Sequence, residues 1–160
     1  MKVKKAELSG VQLDYAVAVA LGVKDSIKLR PFTNCPAYPQ KYVWLDKGSS
    51  CFSPSSNWMA CGPLIEQFQM FIEPPHDVHR SMIGEDGKPK GCWETYDSWH
   101  ATVSTRVAEK PSKELFGYEI PGGPYRAEGE TPLIAICRAV VASKLGDTVD
   151  IPDELMEVRE

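Results

Sequence analysis

The sequence lacks the excess of basic residues with which most proteins bind nucleic-acid backbones. Its 160 residues include 18 Lys and Arg against 22 Asp and Glu, which gives a formal net charge of −4. Binding to a phosphate backbone depends on basic side chains that displace condensed counterions. We therefore do not expect duplex DNA or RNA as a partner.

The sequence also lacks a long apolar run. Lys2, Lys4 and Lys5 are typical of the start of a secretory leader, but Glu7 and Asp14 interrupt the apolar stretch that should follow. No segment approaches the roughly 18 apolar residues of a membrane-spanning helix. These absences predict a soluble protein of the cytoplasm without a membrane partner.

Cysteines with metal-binding or disulfide spacing are missing as well. The number of cysteines is odd, and none forms a C-x-x-C pair, which argues against a disulfide framework and a zinc ribbon. We expect reduced thiols that are mostly buried or incidental. The five residues are Cys35, Cys51, Cys61, Cys92 and Cys137.

Three familiar motifs are absent too: the P-loop, the G-x-G-x-x-G fingerprint and the G-x-S-x-G nucleophile elbow. The sequence therefore predicts no cofactor and no catalytic residue. Its length and its 42% hydrophobic content are sufficient for one core of ordinary size. Residues 1–160 are predicted to form a single domain.

Two of the three predicted helices lie near the two ends of the sequence. The first follows Ser9, with Gln12 as the second half of a capping box, and ends at Gly22. The third is the best marked, with Thr131 as its N-cap and Pro132 in its first turn. Residues 133–145 of this third helix are apolar on almost every side, and Gly146 follows them. It is predicted to form the centre of the core.

The second helix is predicted to begin at Gly62-Pro63, because proline needs no hydrogen-bond partner in a first turn. Leu64, Ile65 and Phe68 would line one of its faces. The helix must end before Pro74.

One strand is clear from its alternation of apolar and polar residues. Residues 99–107 predict a strand with one packed face and one polar face, the latter carrying His100. Shorter strands are predicted at residues 3–8, 27–30, 42–45 and 148–151, and surface loops at 74–91 and 110–129. Together the elements predict an α+β fold with a mainly antiparallel sheet packed against about three helices.

Residues 52–66 bring polar side chains to a predicted helix start. Ser53, Ser55 and Asn57 supply hydroxyl and amide groups, and Trp58 can stack on a planar base. Backbone N–H groups at a helix start, including that of Leu64, can face an anion. The alternative is structural: Ser55 or Asn57 caps a short helical turn, and Trp58 fills the core.

Other elements can contribute to the same pocket. The helix start at Thr131 would do so if the second and third helices lie side by side, and Arg138 needs a partner if it is buried. That partner would be either a nearby acid or a bound anion. The predicted ligand-binding residues are Ser53, Ser55, Asn57, Trp58, Gly62, Leu64, Thr131, Arg138 and His100.

Metal binding is a weaker hypothesis. His76, Asp77 and His79, with Cys92 nearby, match no familiar closed zinc pattern, and an exposed polar loop is the favoured interpretation. We predict no metal site.

Catalysis is weaker still. His100 could activate Ser53, Ser55, Cys51 or Cys61, but no acidic residue is placed to orient it. The acids Asp14, Glu66, Asp147 and Asp150 lie on different predicted elements, so no carboxylate pair is expected. A hydrolase ranks third among the functions.

Four blocks of the sequence resemble the NinX family of small proteins of lambdoid bacteriophages. They are residues 13–18 (LDYAVA) with 21–22 (LG), residues 53–66 with SPS, Trp58 and GPLIE, residues 99–101 (WHA), and residues 131–135 (TPLIA) with Arg138 and 141–147 (VASKLGD). Two departures from the family pattern are Asn57, where an acid would be expected, and Cys61, where a glycine is common.

The resemblance implies a phage or prophage accessory protein acting in the bacterial cytoplasm, from a family without an established mechanism. We expect a non-enzymatic binder of a small anionic or nucleotide-like ligand, which by analogy with other small phage proteins would sequester a host defence signal. The alternative is an interaction module that docks on a host or phage protein through residues 74–91 and 110–129. A homo-oligomer is also expected, because small domains with long flaps often complete a pocket across a symmetric interface.

Overall fold

The computed structural model describes residues 1–31, 41–46, 51–103 and 125–156. Within these ranges the chain forms three α-helices and nine strands, and the strands make four small sheets. Every pair of neighbouring strands is antiparallel. The predicted α+β class is confirmed. No helix of the described part is long and apolar enough to span a membrane.

The elements follow one another without internal repetition. The helices are α1 (Gly10–Ala20), α2 (Trp58–Gln67) and α3 (Pro132–Leu145). The strands are β1 (Lys2–Lys4), β2 (Ile27–Pro31), β3 (Lys41–Leu45), β4 (Met70–Glu73), β5 (His76–Ile83), β6 (Pro89–Tyr96), β7 (Trp99–Val103), β8 (Arg126–Gly129) and β9 (Thr148–Asp150). Short 3-10 helices lie at Lys5–Glu7, Lys24–Ser26 and Asp153–Leu155.

Helix α3 is the centre of the core, as predicted. The Thr131 hydroxyl accepts a hydrogen bond from the backbone N–H of Ile134 at 3.3 Å, and Gly146 ends the helix with a φ of 86°. Helices α1 and α2 and strands β7 and β8 pack around α3. An apolar helix buries its whole surface only when neighbours cover it on several sides.

The three-stranded sheet β4-β7-β8 lies against α3, with β7 in the middle. Ile72, Ala101 and Ala127 are opposite one another across the three strands and belong to the core. Their neighbours His100 and Thr102 occupy the outer face of β7, because successive side chains alternate between faces. Both are buried, so the face is polar as predicted but is covered from solvent at these two positions. Residues 104–107 of the predicted strand lie outside the described ranges.

Helix α1 begins after Ser9 and ends before Gly22 as predicted, but the capping box is wrong. The Ser9 side chain makes no capping hydrogen bond. Gln12 instead donates from Nε2 to the carbonyl of Leu155 at 2.9 Å, which attaches α1 to the last described segment. The left-handed φ of 78° at Gly22 closes the helix, as its position predicts.

The short predicted strands are largely confirmed. Strands β2 and β3 pair with each other, and β9 pairs with β1. The strand predicted at residues 3–8 is too long, because the chain turns into the 3-10 helix Lys5–Glu7 directly after β1.

Helix α2 begins one turn earlier than predicted. Asn57 is its N-cap, and the Asn57 side-chain oxygen accepts from the N–H of Met59 at 2.9 Å. Pro63 therefore lies inside the helix, and the predicted start at Gly62-Pro63 is wrong. The start of the helix is determined by the Asn57 side chain, which accepts a hydrogen bond from a free N–H group of the first turn. Gly62 has no side chain that could do this.

Residues 74–91 are mostly strand, and the predicted loop there is wrong. Strand β5 pairs along its whole length with β6, from His76 opposite Tyr96 to Ile83 opposite Pro89. We call β5, β6 and their connection, residues 76–96, the ribbon. The predicted loop at 110–129 is likewise wrong at its end, where β8 forms. Its residues 110–124 lie outside the described ranges.

The ribbon continues the hairpin that β4 and β7 begin. Glu73 is opposite His100 in the lower part, and His76 is opposite Tyr96 in the upper part. Two residues join the parts on one side, and three join them on the other. One extra residue on one strand is the arrangement of a β-bulge, which bends and twists a strand pair. Pro74 and Pro75 also lack the N–H groups that a continuous ladder needs.

A matched pair of glycine substitutions tests the contact between β8 and α3. A Cβ at Gly129 would lie 2.4 Å from the backbone nitrogen of Ala135, whereas a Cβ at Gly62 would meet nothing within 4 Å. We expect Gly129→Ala to lower the free energy of unfolding by about 1–3 kcal/mol. Gly62→Ala, inside α2, should raise it by about 0.5–1 kcal/mol. Urea unfolding measures both, and equal effects would contradict this packing.

Candidate functional site

The segment before α2 folds into a turn stabilised by its own carbonyl groups. The carbonyl of Ser53 accepts from the N–H of Asn57 at 2.9 Å and from that of Ser56 at 3.2 Å. Pro54 is fully buried beneath the turn. Hydroxyl, amide and backbone N–H groups therefore come together at this turn, as the sequence predicted.

The anion in this corner is a carboxylate of the chain itself. Asp14, on α1, accepts a hydrogen bond at Oδ1 from the backbone N–H of Ser55 at 2.8 Å. The Ser55 hydroxyl lies 3.4 Å from the carbonyl of Gly10, to which it donates. Asp14 is only 4% exposed. The polar groups predicted for a ligand therefore attach residues 53–57 to α1.

The predicted ligand-binding residues of α2 have structural roles within the helix. The Asn57 side chain is its cap, and Gly62 and Leu64 lie in its interior, where N–H groups bond to carbonyls one turn earlier. The idea that the N–H of Leu64 faces an anion is therefore wrong. Trp58 is 53% exposed, so it does not fill the core.

Helices α2 and α3 lie side by side, as the pocket hypothesis required. The thiols of Cys61 and Cys137 are in hydrogen-bond contact, and Nζ of Lys144 lies 5.7 Å from the ring centre of Phe68. Seven residues separate the two contacts on each helix, so the helices run in the same direction. The caps Asn57 and Thr131 consequently lie at the same end of the pair.

Two buried thiols lie below this end, beside Asp14. Cys61 and Cys137 are fully buried. The hydrogen bond to Cys61, together with burial, raises the pKa of Cys137, so its thiol stays protonated. Reactive cysteines need an accessible thiolate, which this position does not provide. The four cysteines of the described ranges are unlinked, and Cys35 lies outside these ranges.

Arg138 binds the backbone of the protein. Its Nε and Nη2 donate to the carbonyl of Leu8 at 3.2 and 3.0 Å, and its Nη1 donates to the carbonyl of Glu128 at 3.0 Å. A partner was predicted, and the hydrogen-bond partners are carbonyl groups of the chain. Carbonyl oxygens at the ends of elements are available for this, because their own ladders stop there. The carboxylates of Glu130 and Glu128 are close enough to act on the guanidinium as well.

His100 lies apart from this corner, on the outer face of β7. It is 5% exposed, and its Nδ1 has no hydrogen-bond partner in the described part of the chain. Its ring meets the edge of the Tyr96 ring at 5.2 Å, and Tyr96 stacks on His76 at 5.5 Å. The ring of Tyr96 also lies 5.7 Å below the guanidinium of Arg126.

The structure thus brings some of the predicted site residues together and places others apart. Residues 53–58 and Thr131 lie at the shared helix end, whereas His100 lies across the sheet. In the described ranges no serine or cysteine binds His100 Nδ1, so the pairing considered for a hydrolase is not formed through this nitrogen. A small ligand at the helix end stays a prediction.

The ribbon has two faces of different character. One face carries Ile83, Pro89, Gly91, Trp93 and His79, and the other carries Met82, Lys90, Cys92 and Glu94. Trp93 is 71% exposed and Ile83 is 80% exposed. The first face is therefore an apolar surface in contact with solvent.

Packing within the apolar face depends on one glycine. The rings of His79 and Trp93 lie 5.0 Å apart. His79 also covers Gly91, where an added Cβ would lie 2.2 Å from its Nε2. Gly91 thus leaves the space that His79 occupies.

The residues considered for a metal are spread over the ribbon. His76 lies 2.6 Å from the carbonyl of Pro74, Asp77 accepts from the hydroxyl of Thr95 at 2.8 Å, and His79 packs on Trp93. In the described ranges, no group of three or more His, Cys, Asp or Glu side chains is arranged to hold a metal ion.

Sequence reasoning missed Asp14 and the ribbon. Asp14 is an acid within the otherwise apolar stretch 13–18, and the logic applied to Arg138 would have identified it. The ribbon residues show no clear alternation, because neither face packs against the core. Alternation appears only where one face is buried.

The comparison with known families agrees with the resemblance noted in the sequence. A family model described as "Bacteriophage P22, NinX" matches residues 4–144. The match includes α1, α2 and almost all of α3. A search of curated proteins finds no match.

Asp14→Asn tests the buried carboxylate. Burial raises the pKa of Asp14 to about 6 from its ordinary 3.8, against the opposing hydrogen bonds from Ser55. At pH values between these two pKa values, Asp14 is protonated in the folded state and ionised in the unfolded state. The free energy of unfolding therefore falls as the pH rises through this range. Asp14→Asn keeps a side-chain oxygen that can accept the hydrogen bond from Ser55, but it removes the negative charge. We expect it to be more stable than the natural protein at pH 8, by at most about 3 kcal/mol, and equally stable near pH 3.5.

Urea unfolding over this pH range measures the difference, and Asp147→Asn is the control of opposite sign. The hydrogen bond from Lys5 lowers the pKa of Asp147, so its contribution to stability is present at neutral pH and is lost on acidification. A loss of stability in Asp14→Asn at pH 8 would show that the buried carboxylate is charged and stabilising there.

Proposed function

The chain belongs to the bacteriophage P22 NinX family, and we propose that it is a non-enzymatic phage accessory protein that docks on a protein partner through the ribbon. The observation that supports this proposal is the exposed apolar face around Trp93 and Ile83. Large aromatic side chains that remain exposed on a soluble domain are typical of protein interfaces.

The position of the ribbon supports docking over a structural role. Strands β5 and β6 contact mainly each other, while β4, β7 and β8 carry the contacts to α3. Exposed residues on a projecting element are accessible to a large partner. The face also has few charges to desolvate, because the Asp77 carboxylate is already bonded to Thr95.

The charge of the ribbon favours protein over nucleic acid as the partner. Residues 76–96 contain three basic and four acidic residues, which are Arg80, Lys88, Lys90, Asp77, Glu85, Asp86 and Glu94. The ribbon therefore has no excess of basic residues with which to displace the counterions of a phosphate backbone. A protein with an apolar groove is the partner that matches an aromatic and aliphatic face.

A protein partner is preferred over a small ligand because of how the polar groups are used. Asp14, Asn57 and Arg138 all make hydrogen bonds within the chain. A ligand at the corner of residues 53–57 would have to break some of these bonds. The apolar face of the ribbon can be covered without breaking any bond in the described structure.

Photo-crosslinking in phage-infected cells tests the proposal. A photoreactive residue in place of Trp93 or Ile83 should link to the same discrete protein, identified by mass spectrometry. The same photoreactive residue in place of Lys24, an exposed position far from the ribbon in the sequence, should not link to that protein. Crosslinks with no preference for the ribbon would contradict docking through this face.

Affinity for the crosslinked protein then measures the energetic role of the face. We expect Trp93→Ser with Ile83→Ser to weaken binding by about thirtyfold or more, as the loss of a hot-spot side chain does. The melting temperature should change little, because both residues are exposed. Met59→Ser is the matched control, since Met59 is 86% exposed but lies on α2. Equal effects of the two variants would place the interface elsewhere.

A further inference from the structure

We propose that the protein partner inserts an apolar segment with an arginine or lysine between the apolar face of the ribbon and Trp58. We call this space the cleft. The inference rests on docking through the ribbon, and it adds a second wall to the site and a charge to the partner's segment. Trp58 is 53% exposed at the start of α2, and Trp93 is 71% exposed on the ribbon.

The apolar face of the ribbon points to the side of the sheet that carries α3. At the base of the ribbon, the ring of Tyr96 lies 5.2 Å from that of His100 and 5.7 Å from the guanidinium of Arg126. His100 is on the outer face of the sheet, and Arg126 is on that face too, because it is directly opposite Thr102. Side chains alternate along β6, so Trp93, three residues before Tyr96, lies on the other face. That face continues the inner face of the sheet, which packs on α3.

Helices α2 and α3 both begin at this end of the sheet. Gly129, at the end of β8, is opposite Trp99, the residue of β7 nearest the ribbon. The cap Thr131 follows two residues later. Because α2 runs in the same direction as α3, its cap Asn57 lies at this end as well. The ribbon therefore extends past the starts of both helices. Strands β5 and β6 contact mainly each other, so in the described part of the chain the ribbon leaves the cleft open.

Trp58 extends from the start of α2 into the cleft. It precedes Cys61 by three residues, and residues three apart lie on the same side of a helix. That side faces α3, where the thiols of Cys61 and Cys137 are in contact. Helical side chains also lean toward the N-terminus, so the indole of Trp58 reaches beyond the first turn. Met59, two residues before Cys61, points to the opposite side of α2.

The charged side chains around the cleft are acidic. Among the residues of β5 and β6 on the apolar face, Asp77 alone is charged, and residues 51–65 contain no charged residue. Asp77 is bonded to the neutral hydroxyl of Thr95, which leaves its charge in place. Glu130, before the cap of α3, also acts on the guanidinium of Arg138. The N–H groups at the helix starts disfavour a cation, so the partner's cation belongs against the ribbon, beside Asp77.

Two exposed tryptophan rings near an acid suit a cation with an apolar stem. A guanidinium or ammonium group over an indole ring is attracted by the π electrons of the ring. The chain itself makes this contact, since the guanidinium of Arg30 lies 4.2 Å from the ring centre of Trp44. An acidic segment would instead meet a like charge at Asp77. The partner's segment is therefore basic as well as apolar.

Photo-crosslinking locates this segment. In phage-infected cells, a photoreactive residue in place of Trp58 should link to the same protein as one in place of Trp93. Mass spectrometry of the digested products should find both links within one segment, which carries arginine or lysine next to apolar residues. The same photoreactive residue in place of Glu66, on the exposed side of α2, should not link to it. Links from position 93 alone would overturn the second wall, and a segment without arginine or lysine would overturn the predicted charge.

Affinity for the crosslinked protein tests the same charge. Asp77→Asn keeps an oxygen that can accept from Thr95 but removes the charge, so binding should weaken about fivefold at low salt and depend less on salt. Trp58→Leu keeps an apolar side chain without the π face and should weaken binding about fivefold. Glu66→Gln, which removes an exposed acid from the far side of α2, should change neither quantity. Melting temperatures check that each variant is folded.

These variants separate failure of the cleft from failure of docking. If Trp93→Ser with Ile83→Ser weakens binding while Trp58→Leu and Asp77→Asn do not, the partner docks on the ribbon but not in the cleft. Tighter binding by Asp77→Asn, or an unchanged salt dependence, would overturn the basic segment. If none of these variants changes the affinity, both the cleft and docking through the ribbon are wrong.

Discussion

The rest of the structure depends on how one charged side chain is accommodated on the apolar helix α3. The guanidinium of Arg138 is partly buried, and it bonds the carbonyl of Leu8 just before α1 and that of Glu128 in β8. A buried cation without partners would cost several kcal/mol. By satisfying it with two backbone segments, the fold joins α1 and the central sheet to the same helix. Gly129 completes this junction, because only a glycine allows the close approach of β8 to α3.

This junction stabilises one part of the long hairpin, whereas in the described residues the other part contacts mainly itself. Strands β4 and β7 lie on α3, but beyond Pro74 and the extra residue at 97–99 the ribbon leaves the core. In the described part of the chain, its strands contact mainly each other, and Tyr96 contacts His100 and Arg126 at the base of the ribbon. Exposed apolar residues accumulate in this part of the hairpin. We infer that the fold separates a stable base from a projecting element available for binding.

Local signals predicted the elements that depend on local chemistry. Thr131, Pro132 and Gly146 specify the ends of α3, and both ends agree with the structure. The start of α2 was mispredicted because Gly62-Pro63 matches a helix start, although Asn57 caps the helix one turn earlier. The partner of Asp14 is Ser55, 41 residues away, and no local pattern predicts such a contact. The ribbon escaped prediction since strands exposed on both faces lack alternation.

The most direct test of this account is hydrogen exchange at the backbone amides of β6, compared with those of β7 and α3. Amides of the projecting ribbon should exchange quickly, because local opening of the ribbon leaves the core intact. Amides of β7 and α3, which belong to the stable base, should exchange slowly. Exchange of β6 as slow as that of β7 and α3 would contradict a ribbon that projects from the stable base.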